Sequence, residues 1–254
     1  MSVLPSPPVP ESVSIVIPAY NEARRLPPTL ARLIEWKKEC GFEVEIVIVV
    51  EPGTDDTREI ASAAAAREPN LRVLTYPAQR GKGHAVRTGV RAARGDIIFY
   101  MDADLSVPLR EIATFVEYLR AHPEADVLFG NRQHARSQIT RHQGWLRQRL
   151  GQTFNVLLRR LGLTGARDTQ CGFKAFRRPA AEAIFARQQL DGFAFDVEVL
   201  LLAERLDLRI ADLPVEWVNS EESKVRLVRD SARMLLDALR VRRMVAKIGP
   251  TPRK

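Results

Sequence analysis

The chain has 254 residues, 45% of them hydrophobic, and a formal net charge of +8, a composition that supplies a full core and argues against disorder beyond the ends. Two cysteines, Cys40 and Cys171, are too few for a disulfide framework, which predicts a reducing, cytoplasmic setting. The proline-rich residues 1–12 lack a signal-peptide pattern, and no stretch approaches the roughly 18 apolar residues that span a bilayer.

Strand and helix patterns alternate along the first half of the chain. Short β-branched runs predict strands at 13–18, 43–50, 71–76, 96–101 and 125–130. Helical patterns occupy 27–39, 54–67 and 83–94, and another helix is expected after Pro108. This alternation predicts an α/β fold with a mainly parallel, Rossmann-like sheet flanked by helices, in which ligands bind beyond the carboxyl ends of the strands.

Polar clusters follow three of the predicted strands. They are Pro18-Ala19-Tyr20-Asn21-Glu22 after the first strand, Glu51 after the second and Asp102-Ala103-Asp104 after the fourth. Each cluster has a simpler explanation, because Asn21 and Asp104 are residue types that cap helices. Together, at one edge of a sheet, they indicate a binding site.

The two aspartates of the third cluster can bind one divalent cation. Mg²⁺ takes few protein oxygens and fills its other positions with substrate phosphates and water. An Asp-x-Asp pair alone is a weak signal, but here it follows a buried strand and faces two other polar strand ends.

A glycine-rich basic turn, "RGKGHAVRTG" at 80–89, leads into the third helix. Backbone N–H groups at a helix N-terminus suit an anion. The turn matches neither the dinucleotide fingerprint nor the P-loop, which argues against a dinucleotide oxidoreductase and a P-loop enzyme.

The pattern changes after residue 131. The run 145–163 has one apolar helical face with arginines between, and "DTQCGFKAF" at 168–176 is turn-rich and ends in a short strand. A buried helix is predicted at 195–206, an extended segment broken by Pro214 at 209–218, and a basic amphipathic helix at 225–247.

Positive charge is concentrated in this second half. Residues 132–178 contain eleven Lys or Arg and one acid, and residues 224–254 contain ten and two. The asymmetry indicates an anionic partner, which could be a nucleic acid, a membrane surface or a phosphorylated substrate; a solvated basic face is the alternative. No basic motif interleaved with aromatic residues supports nucleic-acid binding.

The motifs resemble those of family 2 glycosyltransferases that load sugars onto polyprenyl phosphate. The matching segments, in order, are "VSIVIPAYNEARRLP", "RGKGHAVRTGVRAARGDIIFYMDADLS", "DTQCGFKAF", "FAFDVEVL" and "SKVRLVRDSARMLLDALRVR". Within that family the sequence looks most like the dolichyl-phosphate β-glucosyltransferases, with the mannose synthases next. The resemblance implies a GT-A fold, a nucleotide-sugar donor, Mg²⁺ or Mn²⁺, and inverting transfer of a hexose to a dolichyl-type phosphate.

The resemblance also implies roles for individual residues. The metal ligands would be Asp102 and Asp104, and Ser223 with Lys224 would close over the diphosphate. The full set of donor-binding residues would be Pro18, Ala19, Tyr20, Glu22, Glu51, Gly81, Lys82, Asp102, Ala103, Asp104, Ser223 and Lys224. Glu51 and Pro52 replace the two aspartates usual in the family, which leaves the base preference open.

Bringing two anions together requires cations. Arg132, after the fifth strand, is the predicted acceptor-phosphate ligand, with Arg136 and Lys174 behind it. Asp104, Arg132 and Lys224 are therefore the predicted catalytic residues. A phosphate nucleophile needs no strong base, and none of the scattered histidines, His84, His122, His134 and His142, is predicted to be catalytic.

Four residues of the second half have predictions of their own. Asp168 is expected to shape the turn before the short strand. Asp196 and Glu198 contact the sugar or cap a helix, and Cys171 is a packing residue rather than a nucleophile.

The predicted organisation is a leader at 1–12, a single GT-A domain at 13–248 and a tail at 249–254. Within the domain, 13–131 would bind the donor, and 132–248 would face the acceptor and an anionic membrane surface on the cytoplasmic side. UDP-glucose is the favoured donor and GDP-mannose the second. A soluble acceptor, and a catalytically lapsed sugar-nucleotide-binding protein, remain the alternatives.

Overall fold

The computed structural model describes residues 12–137, 139–141, 168–218, 236–237, 240–241 and 243–245, and for 139–141 it describes the backbone alone. The helix predicted at 145–163 lies outside these ranges. Of the basic helix predicted at 225–247, only the short pieces between 236 and 245 are described, and these are helical.

The first half of the chain confirms the predicted alternation. Its strands are β1 (Ser12–Ala19), β2 (Glu43–Val50), β3 (Leu71–Thr75), β4 (Ile97–Met101) and β5 (Val127–Asn131). Its helices are α1 (Leu26–Glu39), α2 (Thr57–Ala65), α3 (Lys82–Ala92) and α4 (Arg110–Ala121). Prolines 27 and 28 lie in the first turn of α1, where the N–H that proline lacks has no helical partner to lose.

The second half adds shorter elements. They are β6 (Ile139–Arg141), β7 (Phe173–Arg177), α5 (Arg178–Phe185), α6 (Phe195–Arg205), β8 (Ile210–Pro214) and β9 (Trp217–Val218). Helix α5 was not among the predicted elements. It begins directly after β7 with a proline in its first turn, so no loop separates the two elements.

Seven strands form one mixed, mostly parallel sheet in the order β3-β2-β1-β4-β7-β5-β8. Strand β7 runs antiparallel between β4 and β5, and the other pairings in this sheet are parallel. Strands β6 and β9 form a separate parallel pair. The α/β prediction is confirmed, with strands from both halves of the chain in one sheet.

Both faces of the sheet are covered. Alternate β1 residues point to opposite sides: Ile15 and Ile17 pack with α1 and α4, whereas Val16 packs with α3, α5 and α6. Val241 and Val245 join the second cluster, so part of the C-terminal segment belongs to the core.

The topology brings four loops to one edge. Parallel strands β2, β1 and β4 are neighbours and end there, and antiparallel β7 starts there, with Phe173 paired with Met101. Among the helices that the structure describes, none is both long and apolar enough to cross a bilayer.

Candidate active site at the carboxyl edge of the sheet

The loops after β1 and β2 are locked together. The Glu51 N–H donates to the Ala19 carbonyl at 2.9 Å, and the Thr54 N–H donates to Asn21 Oδ1 at 2.8 Å. A Cβ on Gly53 would clash with Asn21 Oδ1, so a larger residue there would displace the side chain that binds Thr54. Asn21 thus joins two strand ends, and α1 has no side-chain cap.

Helix α1, which follows the loop after β1, contacts the loop after β4. Thr29 in α1 donates its hydroxyl to the Ala103 carbonyl at 2.6 Å. Glu22 is 8% exposed and accepts two hydrogen bonds from the Arg25 guanidinium, each 2.6 Å long. The predicted convergence of three polar strand ends on one edge is confirmed.

Asp102, the first of the two aspartates after β4, has a charged partner. Its side chain is 39% exposed, and Oδ1 lies 2.5 Å from Lys82 Nζ. A Cβ on Gly172 would come within 2.1 Å of Asp102 Oδ2. The glycine of "DTQCGFK" therefore makes room for this carboxylate, a purpose that the motif alone does not reveal.

Asp104 has a different local contact. Its Oδ1 accepts the Ser106 N–H at 2.9 Å, a turn that places Leu105 between them at a φ of +50°. Helix α4 begins at Arg110 without a side-chain cap, so Asp104 does not cap it.

Lys82 lies among several carboxylates. Burial alone would lower the pKa of its ammonium group, but the charges of Asp102, Asp196 and Asp104 raise the pKa above its ordinary value. Lys82 is therefore positively charged at neutral pH, next to both aspartates of the predicted metal site.

A divalent cation fits this edge only with help from a substrate. Across the part of the chain that the structure describes, no cluster of three or more His, Cys, Asp or Glu side chains could hold a metal. The Asp102 and Asp104 carboxylates are hard oxygen donors, which suit Mg²⁺ or Mn²⁺ when phosphate oxygens and water complete the coordination.

A cleft of about 330 Å³ opens beside Glu51, between the ends of β2 and β3 and the start of α2. Glu51 is 5% exposed, and its Oε1 accepts the N–H groups of Arg80 (2.6 Å) and Gly81, and the Tyr76 hydroxyl (3.3 Å). Burial and the Glu51 charge raise the pKa of Tyr76. Glu51 thus joins the cleft to the glycine-rich turn.

The N–H groups of the glycine-rich turn are bound by protein acceptors. Gly83 and His84 donate to the Asp191 carbonyl, at 2.8 and 3.3 Å. With Arg80 and Gly81 bound by Glu51, the anion that the turn holds in this structure is a side-chain carboxylate.

Arg132 and Asp168 form a buried bidentate ion pair. Asp168 accepts Arg132 Nε at 2.7 Å, Nη2 at 2.9 Å and the backbone N–H at 3.0 Å. Although burial opposes the charged form, Arg132 holds the pKa of Asp168 below its ordinary value. The guanidinium also lies over Trp217, 5.5 Å from the ring centre. Asp168 therefore positions Arg132, and acceptor binding by Arg132 stays a prediction.

Lys174 is fully buried and paired with Asp196 at 2.6 Å. Its ammonium group also donates to the Cys171 carbonyl at 2.6 Å, and Tyr100 donates its hydroxyl to Asp196. Lys174 and Asp196 thus contact the protein rather than an open surface. Contact of Lys174 with the acceptor, or of Asp196 with the sugar, stays a prediction that their positions do not favour.

The remaining predicted residues have varied positions. Glu198 is 1% exposed and accepts the N–H groups of Gln189 (2.8 Å) and Leu190 (2.7 Å). Cys171 is buried, which raises the pKa of its thiol to about 12 and agrees with a packing role. Arg136 is exposed beyond β5. Ser223 and Lys224 lie outside the described residues.

Two polar residues at this edge were not predicted. Asp191 binds Arg80 and Arg87, each at 2.7 Å, and these contacts outweigh burial and lower its pKa. Gln170 has a buried Nε2 without a hydrogen-bond partner among the residues described, which suits a substrate oxygen. The Asp-Gly pair at 191–192 is a local turn signal, but its contacts with residues 80–87 are long-range.

Comparisons with known proteins extend this picture. The sequence profile named Glycosyl transferase family 2 matches residues 14–185. A dolichyl-phosphate beta-glucosyltransferase of Dictyostelium discoideum is 32% identical over 240 residues, covering 91% of this chain and 73% of that protein. The protein of the same name from Mus musculus is 33% identical over 226 residues, covering 85% and 70%. Glycosyltransferase AglD of Haloferax volcanii is 36% identical over 233 residues, covering 86% of this chain but 35% of that protein.

Solved structures give the fold. Glucosyl-3-phosphoglycerate synthase of Mycobacterium tuberculosis, in complex with Mn²⁺, UDP-glucose and phosphoglyceric acid, aligns with a TM-score of 0.68 at 18% identity. The alignment covers 95% of this chain and 82% of that one. This likeness confirms the GT-A fold, and the sequence matches confirm the resemblance. The chain belongs to glycosyl transferase family 2.

Proposed function

We propose that the protein transfers glucose from UDP-glucose to a polyprenyl phosphate of the dolichyl type. The observation that carries the proposal is the extent of its match to a dolichyl-phosphate beta-glucosyltransferase, over 91% of this chain and 73% of that one. The site geometry supports it, because carboxylates, a lysine and a cleft meet at the carboxyl edge of the sheet.

The nucleoside of the donor would bind in the cleft beside Glu51. The end of β1 and the loop after it would contribute Pro18, Ala19, Tyr20 and Glu22 to this half of the site. Because the Glu51 carboxylate accepts hydrogen bonds, it could accept the imide N–H of uracil once it exchanges its contact with Arg80 or Gly81. Lys82, with its charge maintained by the surrounding carboxylates, would bind the diphosphate.

Asp102 and Asp104 would hold Mg²⁺ or Mn²⁺, with phosphate oxygens of the donor completing the coordination. When bound, the ion supplies Lewis-acid stabilisation of the charge that develops on the diphosphate leaving group. Complexes of the GT-A neighbour with Mn²⁺ and UDP support this assignment. Because Gly172 has no side chain, it leaves room for the Asp102 carboxylate at this position.

In the reaction, an oxygen of the lipid phosphate attacks the anomeric carbon of glucose. A carbon–oxygen bond to the lipid phosphate forms as the bond to UDP breaks, which inverts the configuration and releases UDP. The nucleophile is already anionic at pH 7, so the residues at the site need only position the two reactants and stabilise charge.

Arg132 and Arg136 are the proposed acceptor-phosphate ligands. Arg132 is oriented by Asp168 and 25% exposed, and Arg136 is exposed on the same loop. A lipid phosphate bound at this loop would bring the loop to a membrane surface. The excess of cations at 132–178 and 224–254 supports binding to an anionic leaflet, for which we propose the cytoplasmic face.

The proposal is tested by UDP or GDP release from purified protein with Mn²⁺, across UDP- and GDP-sugars, with and without dolichyl phosphate. We expect UDP release from UDP-glucose that depends on the lipid. Equal release with phosphoglyceric acid in place of lipid would assign a soluble acceptor. Tight UDP binding without release in any mixture would indicate a binding protein that has lost turnover.

A further inference from the structure

Residues 188–192, here called the strap, lie directly against the glycine-rich turn. The Asp191 carbonyl accepts the N–H groups of Gly83 and His84 at the start of α3. A Cβ on Gly81 would lie 2.5 Å from the Asp191 oxygen, and one on Gly83 would lie 2.3 Å from the Leu190 oxygen. The two backbones therefore touch, and neither glycine tolerates a side chain without moving the strap.

The side chain of Asp191 fastens the strap to the same turn. Its Oδ2 accepts Arg80 Nε at 2.9 Å and Nη2 at 2.7 Å, and its Oδ1 accepts Arg87 Nη2 at 2.7 Å. One carboxylate thus joins a residue before α3 to a residue one turn inside it. His84 lies nearby, with Nδ1 3.5 Å from Asp191 Oδ1.

The other end of the strap is anchored in the core. The buried Glu198 carboxylate accepts the backbone N–H groups of Gln189 and Leu190. Gln188 is 3% exposed and accepts a hydrogen bond from Arg87 at 3.1 Å. The strap therefore has fixed contacts on both sides, and it can transmit the position of α6 to the turn.

Lys82 lies between the two glycines that touch the strap, and its ammonium group is 2.5 Å from Asp102 Oδ1. We propose that Asp191 is a positioning residue: it holds the glycine-rich turn so that Lys82 is aimed at Asp102 and at the donor diphosphate. The proposal rests on the proposed function, in which Lys82 binds that diphosphate. Asp191 acts through Lys82 and does not itself contact the donor.

A double-mutant cycle on UDP affinity in the presence of Mn²⁺ tests this role. Asp191→Asn removes the charge but keeps the backbone carbonyl that Gly83 and His84 bind. We expect about tenfold weaker UDP binding, because weaker charge-assisted contacts with Arg80 and Arg87 would hold Lys82 less firmly. Lys82→Met should also weaken binding. In the Lys82→Met background, Asp191→Asn should change the UDP affinity by less than about twofold, because the lysine through which Asp191 acts is absent.

A matched control separates positioning from stability. Glu45→Gln removes another carboxylate–arginine pair, with Arg72 at 2.6 Å, at the opposite edge of the sheet, and should leave UDP affinity unchanged. Asp191→Glu should restore part of the affinity. If Asp191→Asn is too unstable to measure, Arg80→Gln combined with Arg87→Gln removes the same contacts from the other side.

Additive effects in the cycle, or unchanged UDP affinity in Asp191→Asn, would overturn the positioning role. Wild-type protein that binds UDP but transfers no glucose would overturn the proposed function. The double-mutant cycle would still test the positioning role, because it measures UDP affinity and not transfer. Wild-type protein that does not bind UDP would overturn both.

Discussion

At the level of single residues, Asp102 and Asp104 lie on one loop but have different partners. The Asp102 carboxylate contacts Lys82 and lies against Gly172, whereas the Asp104 carboxylate accepts the Ser106 N–H within its own turn. A cation between them would compete with Lys82 for Asp102 but not for Asp104. Asp104 is therefore the better candidate for the principal metal ligand.

Asp104→Ala should reduce metal-dependent transfer on the order of 100-fold or more, because the loss of leaving-group stabilisation is worth several kcal/mol. The thermal midpoint should change little, since Asp104 makes one local hydrogen bond. Transfer assays over a Mn²⁺ titration check the effect. Asp56→Ala, which removes an exposed carboxylate before α2, is the control and should keep full activity.

Transfer by Asp104→Ala that keeps the wild-type dependence on Mn²⁺ would remove Asp104 from the metal site.

At the level of elements, strand β7 is the part of the fold that the local pattern could not place. The pattern of "DTQCGFKAF" indicated a short strand, but not its insertion between β4 and β5 in the antiparallel sense. Strand order is a long-range property, and here it depends on where the chain between 131 and 168 returns. Because β7 is inserted there, residues 168–172 lie at the carboxyl edge of the parallel strands.

Long-range contacts also explain why the surroundings of some residues were not predicted. Lys174 was predicted to bind the acceptor phosphate behind Arg132, because that role needs a cation. The structure buries it beside Asp196, a partner 22 residues away on another element. Residue patterns predicted the strand ends, because these depend on local alternation, but they did not predict ion pairs between elements that are distant in sequence.

Arg132→Ala should destabilise the protein by about 3–5 kcal/mol, because it leaves the buried Asp168 carboxylate without the guanidinium that pairs with it. Urea unfolding monitored by circular dichroism measures this. Arg110→Ala, which breaks an exposed pair with Glu216, is the matched control and should cost less than about 1 kcal/mol.

The double variant Arg132→Gln with Asp168→Asn should be more stable than Arg132→Ala, since neither group is then a lone buried charge. Arg132→Ala protein that is as stable as the Arg110→Ala control would contradict the account of the Arg132–Asp168 pair.

Glu45 in β2 is hydrogen-bonded to side chains of β1 and β3, and its lowered pKa predicts that stability depends on pH. It accepts hydrogen bonds from Ser14 in β1 and Arg72 in β3, and from the Arg94 N–H. Burial opposes ionisation, but these hydrogen bonds prevail and lower its pKa. Its stabilisation is therefore complete above the ordinary glutamate pKa and is lost as the pH falls through the lower folded value.

Glu45→Gln should cost about 1–2 kcal/mol of unfolding free energy at pH 7. The difference from wild type should shrink as the pH falls below about 4.3, the ordinary glutamate pKa. Urea unfolding at neutral and acid pH measures both values. A difference that is the same at both would show that Glu45 ionisation does not contribute.

At the level of the whole molecule, positive charge is unevenly distributed along the chain. Most of the proposed donor-binding residues lie between 18 and 104, whereas the cation-rich segments lie after residue 131. The proposed function would make use of this distribution, because a sugar nucleotide and a lipid phosphate arrive from different surroundings. Cations near an anionic leaflet contribute about 1 kcal/mol each.

Arg159→Gln with Arg160→Gln should weaken sedimentation with phosphatidylserine-containing vesicles by about tenfold or more. The matched control, Arg67→Gln with Arg91→Gln, removes the same charge from exposed positions on the donor half and should bind like wild type. Added salt should weaken wild-type binding. Equal loss in both double variants would indicate a general charge effect rather than a membrane-binding segment.

The most direct measurement is a competition between donors, read by mass spectrometry of the lipid product. Purified protein receives Mn²⁺, dolichyl phosphate, UDP-glucose carrying ¹³C in the sugar and unlabelled GDP-mannose. The account predicts one lipid product, dolichyl phosphate bearing a labelled hexose. An unlabelled hexose on the lipid, or donor turnover without a lipid product, would contradict it.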